Sequence, residues 1–177
     1  MRSRSVTDSS PFAIACWLLP AEPARAYFQE TIHRLAAKYD GPIFEPHLTL
    51  AIGPEPTKAA ESTLAGLTSG PIELRVIGLS FSPTFTRTLF VRFAPSAALL
   101  HLRDSLGKDA TEVFDPHLSL LYQKMPEAEQ KRLAAEIKLP FSTVTFDRVA
   151  VIHCPLPVTT AADVAAWETI ASRRLGR

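Results

Sequence analysis

The chain has 177 residues, a length that fits one ordinary domain or two lobes sharing one core. Its 46% hydrophobic and 21% charged residues are typical of a folded globular protein and exclude a disordered chain. With 19 basic against 18 acidic side chains, the formal net charge is only +1, which argues against a protein that grips long nucleic acid. The two cysteines, Cys16 and Cys154, make neither a disulfide framework nor a metal motif.

The N-terminus begins with two arginines, Arg2 and Arg4, ahead of an apolar run at residues 12–19. Polar and proline residues separate the charges from that run, and the following Ala21-Glu22-Pro23-Ala24 is a poor cleavage site, which argues against a secretory signal. The run of eight apolar residues is also too short for a membrane span. We therefore expect residues 1–10 to form a flexible leader and residues 11–177 a single catalytic domain. We also expect a cytoplasmic protein that is a monomer and does not bind membranes.

Fifteen prolines and seven glycines divide the rest of the chain into short elements. Apolar periodicity predicts, in chain order, a strand at 12–19, a helix at 24–39, an extended segment at 43–52, a helix at 58–67, a strand at 71–81, a hairpin-like turn at 82–87, a strand at 88–93, a helix at 96–106, an extended segment at 115–122, a helix at 127–137 and a strand at 142–153. The tail, 163–175, satisfies both helical and strand periods. The order strand–helix–strand–helix–strand occurs twice, which predicts an α+β fold of two similar sheet-and-helix lobes.

Each predicted lobe contains one histidine in nearly the same sequence frame. Pro46-His47-Leu48-Thr49-Leu50 corresponds to Pro116-His117-Leu118-Ser119-Leu120, 70 residues later. Alternate side chains of a strand share a face, so His47 and Thr49 point one way and the leucines the other, and His117 and Ser119 do the same. If the two lobes face each other, two imidazoles and two hydroxyls line one cleft.

Two imidazoles in one cleft suit acid–base chemistry at phosphorus. An imidazole pKa of about 6.5 allows one ring to be neutral and the other protonated near neutral pH. One ring takes a proton from the attacking water and the other protonates the departing ribose oxygen. The hydroxyls can donate to the non-bridging phosphate oxygens. We therefore predict a cofactor-independent and metal-independent phosphoesterase, although the sequence does not assign base and acid.

The paired histidine motifs resemble those of the 2H phosphoesterase superfamily. Residues 44–50 and 116–122, together with the opening Trp17-Leu18-Leu19-Pro20, are most similar to the cyclic nucleotide phosphodiesterases of plants and yeast. The resemblance implies a bilobal fold with pseudo-twofold symmetry around a central cleft. It implies hydrolysis of nucleoside 2′,3′-cyclic phosphates to 2′-phosphates, and of ADP-ribose 1″,2″-cyclic phosphate. It also implies a strand at 164–175 and a place for Tyr122 near the phosphate.

Several other residues are candidates for the site. Arg87 can donate hydrogen bonds to a phosphate, and Phe85 is placed to stack on a base. Trp17 either forms the floor of a pocket or belongs to the core. Glu45 and Asp115 precede the two Pro-His pairs, where either could tune its histidine. The single pair His153-Cys154 does not make a zinc site.

Two alternatives to cyclic phosphate hydrolysis stay open. One is an RNA 2′,5′-phosphodiester ligase or phosphodiesterase, which we expect to have more basic surroundings than this near-neutral chain. The other is a non-catalytic module that binds nucleotides or RNA ends. Intact histidines and hydroxyls in both halves favour a catalytic protein.

Overall fold

The computed structural model describes residues 12–53, 57–107 and 113–176, except for the side chains of residues 57–59. Its helices and strands are β1 (Phe12–Pro20), α1 (Ala24–Tyr39), β2 (Leu48–Gly53), α2 (Thr57–Gly66), β3 (Ile72–Phe81), β4 (Leu89–Phe93), α3 (Ala97–Ser105), β5 (His117–Leu121), α4 (Glu127–Glu136), β6 (Thr143–Pro155), α5 (Ala161–Ala165) and β7 (Glu168–Arg174). A 3₁₀ turn, Phe85–Arg87, connects β3 to β4.

The strands pair antiparallel in the order β1-β2-β5-β4-β3-β6-β7, and β6 also pairs back to β1. The pairings of six strands therefore form a closed ring. The seventh strand, β7, pairs with β6 on the side opposite β1, beyond the residues that pair with β3. Exchanging β1 with β4, β2 with β5 and β3 with β6 maps this ring onto itself. The chain order β-α-β-α-β is also the same in both halves. The predicted two-lobed α+β fold with pseudo-twofold symmetry is confirmed.

The main hydrophobic core lies on one face of the strands, under the helices. In β1, Ile14, Cys16 and Leu18 point into this core, whereas the alternate residues form a second, smaller cluster on the other face. The second cluster contains Trp17 and packs against Trp167. Burial on both faces explains why β1 is a continuous apolar run instead of an alternating one.

Helix α1 ends where its sequence predicts. Asp40 caps it in the left-handed conformation, with φ 53° and ψ 43°, and its backbone N–H donates to the Ala36 carbonyl. The following Gly41 packs closely against the end of β5, because a Cβ there would lie 3.0 Å from the Tyr122 carbonyl oxygen. This contact brings the helical layer of the first half against the strand of the second half.

The predicted elements differ from the structure mainly near the histidines and in the tail. Residues 43–47 are irregular, and β2 begins only at Leu48. The tail contains both predicted conformations, since the short helix α5 precedes the strand β7. Thr160 and Asp163 form a capping box that starts α5 locally. The strand expected at 164–175 is therefore correct only from Glu168 onward.

The predicted leader, residues 1–10, lies outside the described residues. Within the described part of the chain, none of the helices has the length and apolar character needed to cross a bilayer.

Candidate active site

The two histidine motifs meet where β2 pairs with β5. The antiparallel register sets Leu48 opposite Leu118, and both side chains are fully buried in the main core. Continuing this register by one residue each way places His47 beside Ser119 and Thr49 beside His117. Side chains that face each other across strands usually have Cβ atoms about 4.5–5.5 Å apart. The four polar groups therefore form two cross-strand pairs around one local twofold axis, on the face opposite the core.

These pairs line a cavity of about 670 Å³. His47, Thr49, His117 and Ser119 all lie on its wall, and so do three further residues expected from the sequence: Trp17, Arg87 and Tyr122. Phe85 is not among the lining residues. It borders a separate, smaller pocket, and its ring contacts Tyr122 at a centroid distance of 5.9 Å.

Both imidazoles are held by the same local hydrogen bond. The ring Nδ1 of His47 lies 2.7 Å from the Glu45 carbonyl oxygen, and that of His117 lies 2.8 Å from the Asp115 carbonyl oxygen. A carbonyl oxygen only accepts, so each Nδ1 carries the proton and donates it. The neutral form of each ring therefore leaves a lone pair on Nε2, which is the atom needed to receive a proton.

His47 is enclosed by aromatic rings. Its imidazole stacks on Trp17, with 3.7 Å between centroids and 11° between planes, and Trp167 meets it edge-on at 5.8 Å. Burial lowers the pKa of His47 to about 4; the hydrogen bond to the Glu45 carbonyl opposes this, and the nearby His117 lowers it further.

His117 is half-buried, with its ring edge-on to Phe90 at 5.4 Å. Burial is the main cause that lowers its pKa below the ordinary value. The hydrogen bond to the Asp115 carbonyl raises the pKa, Arg87 lowers it, the Asp115 carboxylate raises it and Arg92 lowers it. Both histidines are therefore neutral at pH 7 in the free protein.

The lowered pKa of His47 predicts an acid-sensitive fold. His47 binds a proton near pH 6.5 in the unfolded chain but only near pH 4 in the folded one. The free energy of unfolding is therefore unaffected by this residue above about pH 6.5 and decreases as the pH drops from there to about 4. We expect a loss of about 3 kcal/mol between pH 7 and pH 4 from this residue alone. Urea denaturation at both pH values should show a smaller loss for His47→Gln than for the wild type. The exposed-helix control His33→Gln should leave the loss unchanged, and equal losses in all three proteins would contradict the prediction.

The carboxylates beside the histidines bind arginines instead of imidazoles. Asp115 accepts from Arg87 at 2.8 Å and from Arg92 at 3.0 and 3.1 Å, whereas Glu45 accepts from Arg25 at 2.6 Å. Partial burial raises the pKa of Asp115, but the hydrogen bonds from the two arginines outweigh this and lower it. The backbone of these residues orients the histidines, and the Asp115 carboxylate orients Arg87.

Arg87 has a further donor that nothing in the described structure satisfies. Its Nε is buried without a hydrogen-bond partner, and its guanidinium lies over the Phe90 ring at 4.5 Å. The two arginines at Asp115 outnumber the single carboxylate, so this side of the cavity is positive. An anion in the cavity would meet both a positive charge and an available donor.

Tyr122 and Ser119 form the deep wall. Tyr122 is buried, stacks on Phe44 at 4.0 Å and hydrogen-bonds with the Ser119 side chain; burial raises the pKa of its phenol well above the ordinary value. The Ser119 Oγ donates to the Thr86 carbonyl oxygen at 2.7 Å. At neutral pH the phenol therefore stays protonated.

Sequence reasoning missed several of the residues that line the cavity, among them Trp167 and Arg103. Trp167 packs edge-on against Trp17 at 5.1 Å, although it lies 150 residues further along the chain. Arg103 lies on α3, is buried, and donates from Nε to the Leu50 carbonyl at 3.1 Å. The scarcity of tryptophan in the chain was the only signal for the first, and no local pattern marked the second.

Among the described residues, no three or more His, Cys, Asp or Glu side chains are grouped to hold a metal ion. Of the pair considered from the sequence, Cys154 lies 3.6 Å from the Ala13 carbonyl oxygen and His153 stacks on Phe12 at 4.6 Å.

Comparison with known proteins identifies the family. The sequence profile described as the 2′-5′ RNA ligase superfamily matches residues 28–154, well over half of the chain. A cyclic phosphodiesterase of Arabidopsis thaliana is 25% identical over 169 residues, covering 88% of this chain and 91% of the relative.

Solved structures show the same fold. Apo LigT of E. coli is 20% identical with a TM-score of 0.58, covering 96% of this chain and all of LigT. The protein TT0787 of Thermus thermophilus is 18% identical with a TM-score of 0.60, covering 92% of this chain and 97% of that one. The chain therefore belongs to the 2′-5′ RNA ligase superfamily of 2H phosphoesterases and has a LigT-like fold.

Proposed function

We propose that this protein hydrolyses cyclic phosphate esters without a metal ion, with His47 and His117 as the acid–base pair. The preferred substrates are nucleoside 2′,3′-cyclic phosphates, converted to 2′-phosphates, and ADP-ribose 1″,2″-cyclic phosphate is a second substrate of the same kind. The observation that carries the proposal is the register of β2 and β5, which pairs each histidine with the hydroxyl residue of the other half.

The proposed step is an in-line displacement. One neutral imidazole takes a proton on Nε2 from water as the water oxygen bonds to phosphorus. The bond from phosphorus to the ribose 3′ oxygen breaks, and the other imidazole, protonated beforehand, gives its proton to that oxygen. The pseudo-twofold axis supports the paired use of the two rings. It gives them equivalent positions, one on the side of the attacking water and one on the side of the leaving oxygen.

The surrounding groups have binding roles in the proposal. The hydroxyls of Thr49 and Ser119 and the guanidinium of Arg87 donate to the non-bridging oxygens, where charge concentrates in the transition state. Tyr122, protonated at neutral pH, donates near the same oxygens. Trp17 supports the imidazole of His47 through their stacking contact.

Relatives support the substrate class. The 25% identical plant protein is a cyclic phosphodiesterase by name, and E. coli LigT has been solved with phosphate and with 3′-AMP, at TM-scores of 0.54 and 0.56. These ligands have the size and charge of the product that we propose here.

The shifted histidines predict an acidic optimum. Activity needs one neutral and one protonated imidazole, and both pKa values lie below 6.5 in the free protein. We therefore expect kcat/KM to follow a bell whose maximum lies between about pH 4 and 6.5, falling toward pH 8 as the acid loses its proton. Initial rates over pH 4–9 check this. A flat profile, or a maximum above pH 7, would contradict paired imidazoles in this environment.

The function is tested by product identity. Purified protein is incubated with 2′,3′-cyclic nucleotides and with ADP-ribose 1″,2″-cyclic phosphate in excess EDTA, and products are followed by phosphorus NMR. We expect 2′-phosphate products at a rate that EDTA does not change. Turnover of only 2′,5′-linked oligonucleotides would support the ligase-type alternative instead, and binding without turnover would leave a nucleotide-binding module.

A further inference from the structure

A fully buried hydroxyl lies next to the turn that carries Arg87. It belongs to Thr88, which directly follows the 3₁₀ turn Phe85–Arg87 and is not itself among the residues that line the cavity. Burying a hydroxyl is unfavourable unless it is hydrogen-bonded, so the partners of Thr88 show what this polar group does there.

The Thr88 side chain extends the pairing of β4 with β5. The described pairing reaches Leu89 and Leu121, because Thr88 has the helical angles φ −62° and ψ −47°. Beyond that pair, the Gln123 backbone N–H donates to the Thr88 Oγ1 at 2.9 Å, and the hydroxyl lies within hydrogen-bond distance of the carbonyl oxygens of Gln123 and Phe85. A hydroxyl both accepts and donates, so it replaces the backbone groups that the next residue of a strand would supply.

The two residues before Thr88 contact the same segment of the second half. The Thr86 carbonyl accepts from the Ser119 Oγ at 2.7 Å, and Arg87 donates to Asp115 at 2.8 Å. In the proposed function the Ser119 hydroxyl leaves the Thr86 carbonyl to reach a phosphate, which removes one link between the turn and β5. The links made by Thr88 contain no group that binds substrate, so they persist when the phosphate enters.

We propose that Thr88 is a positioning residue, which holds the turn against β5 so that Arg87 stays aligned while a phosphate binds. This inference rests on the proposed function, which gives Arg87 its phosphate-binding role. Thr88 acts through Arg87 and does not touch the substrate. Loss of its hydroxyl should weaken phosphate binding about 10-fold, the scale of one hydrogen bond to a charged group.

Calorimetry with inorganic phosphate and with adenosine 2′-phosphate tests the role without turnover. Thr88→Val keeps the shape of the side chain and should bind both ligands about 10-fold more weakly than the wild type. Thr88→Ser keeps the hydroxyl and should restore the wild-type affinity. Wild-type affinity in a folded Thr88→Val protein, or an equal loss in Thr88→Ser, would overturn the inference.

A buried threonine elsewhere separates positioning from general stability. Thr31 lies on α1, is 3% exposed and does not line the cavity. Urea denaturation shows how far Thr31→Val and Thr88→Val lower the free energy of unfolding. Thr31→Val should leave phosphate affinity unchanged, and a loss of affinity as large as that of Thr88→Val would mean that loosening the fold anywhere explains the effect.

A double-mutant cycle asks whether Thr88 acts through Arg87. Arg87→Gln should weaken phosphate binding by itself. Adding Thr88→Val to Arg87→Gln should then weaken it little further, because the aligned guanidinium is already absent. Fully additive effects of the two changes would contradict a positioning role.

Hydrogen exchange of the wild type keeps the inference testable even if Thr88→Val does not fold. The Gln123 amide, which donates to Thr88, should exchange as slowly with saturating phosphate as without it. Faster exchange in the complex would show that the Thr88 links open on binding, and the inference would fall.

The same measurements distinguish this inference from the proposed function. If the wild type binds neither phosphate nor the nucleotide, the proposed function falls and the role of Thr88 falls with it. If the wild type binds both ligands and a folded Thr88→Val protein binds them equally well, only the role of Thr88 is refuted.

Discussion

Replacing His47 or His117 with glutamine should lower kcat for a 2′,3′-cyclic nucleotide by about 10²- to 10⁴-fold. Glutamine keeps a polar atom near the position of Nε2 but cannot take up or give a proton at neutral pH. The double variant should be little worse than either single one, because the two rings act in one concerted step. Steady-state kinetics with a saturating cyclic nucleotide measures both effects.

The exposed histidines supply matched controls for this experiment. His33→Gln and His101→Gln change the same residue type on α1 and α3, outside the cavity lining, and should keep the wild-type kcat. Activity within threefold of wild type in a folded His47→Gln or His117→Gln protein would refute an acid–base role for that ring.

The second large effect concerns the hydroxyl residues. Thr49→Val has almost the same shape as threonine and should lower kcat about 10²-fold, the usual loss for one donor to a developing oxyanion. Ser119→Ala should have a smaller effect on kcat, because the Ser119 hydroxyl already donates to the Thr86 carbonyl and must leave it to reach a phosphate. The same variant should also cost about 1–3 kcal/mol of stability, since that carbonyl loses its donor.

Kinetics and urea denaturation of the same preparations separate these two consequences. Thr143→Val, at an exposed position in β6, is the control for removing a threonine hydroxyl from a strand. If Thr49→Val is as active as this control, the hydroxyl of Thr49 does not contact the reacting phosphate.

Local patterns predicted most of the fold. Apolar periodicity located α1 at Ala24–Tyr39 without error, and the repeated order of elements predicted two lobes. These features depend on residues that are close in sequence, so a pattern of three to four positions is enough to reveal them. The tail was ambiguous because its alanines and alternating residues satisfy both periods, and the chain uses both in turn.

The candidate site was predictable only in part, for a similar reason. The duplicated frame around His47 and His117 is visible in the sequence because it is local. The pairing of Leu48 with Leu118, which brings the two frames together, cannot be seen there. Trp167 and Arg103 reach the cavity through tertiary contacts that no spacing encodes. Asp115 was ambiguous from the sequence, because only the fold brings Arg87 and Arg92 to its carboxylate.

The most direct test of the account is nitrogen NMR of the histidine rings during a titration with a nucleoside 2′-phosphate. The Nε2 signals of His47 and His117 should both move, with one common dissociation constant, and the pKa of both rings should rise, because a bound dianion stabilises each imidazolium. Movement of only one of the two signals, or two different binding curves, would show that the rings do not share a single phosphorus atom.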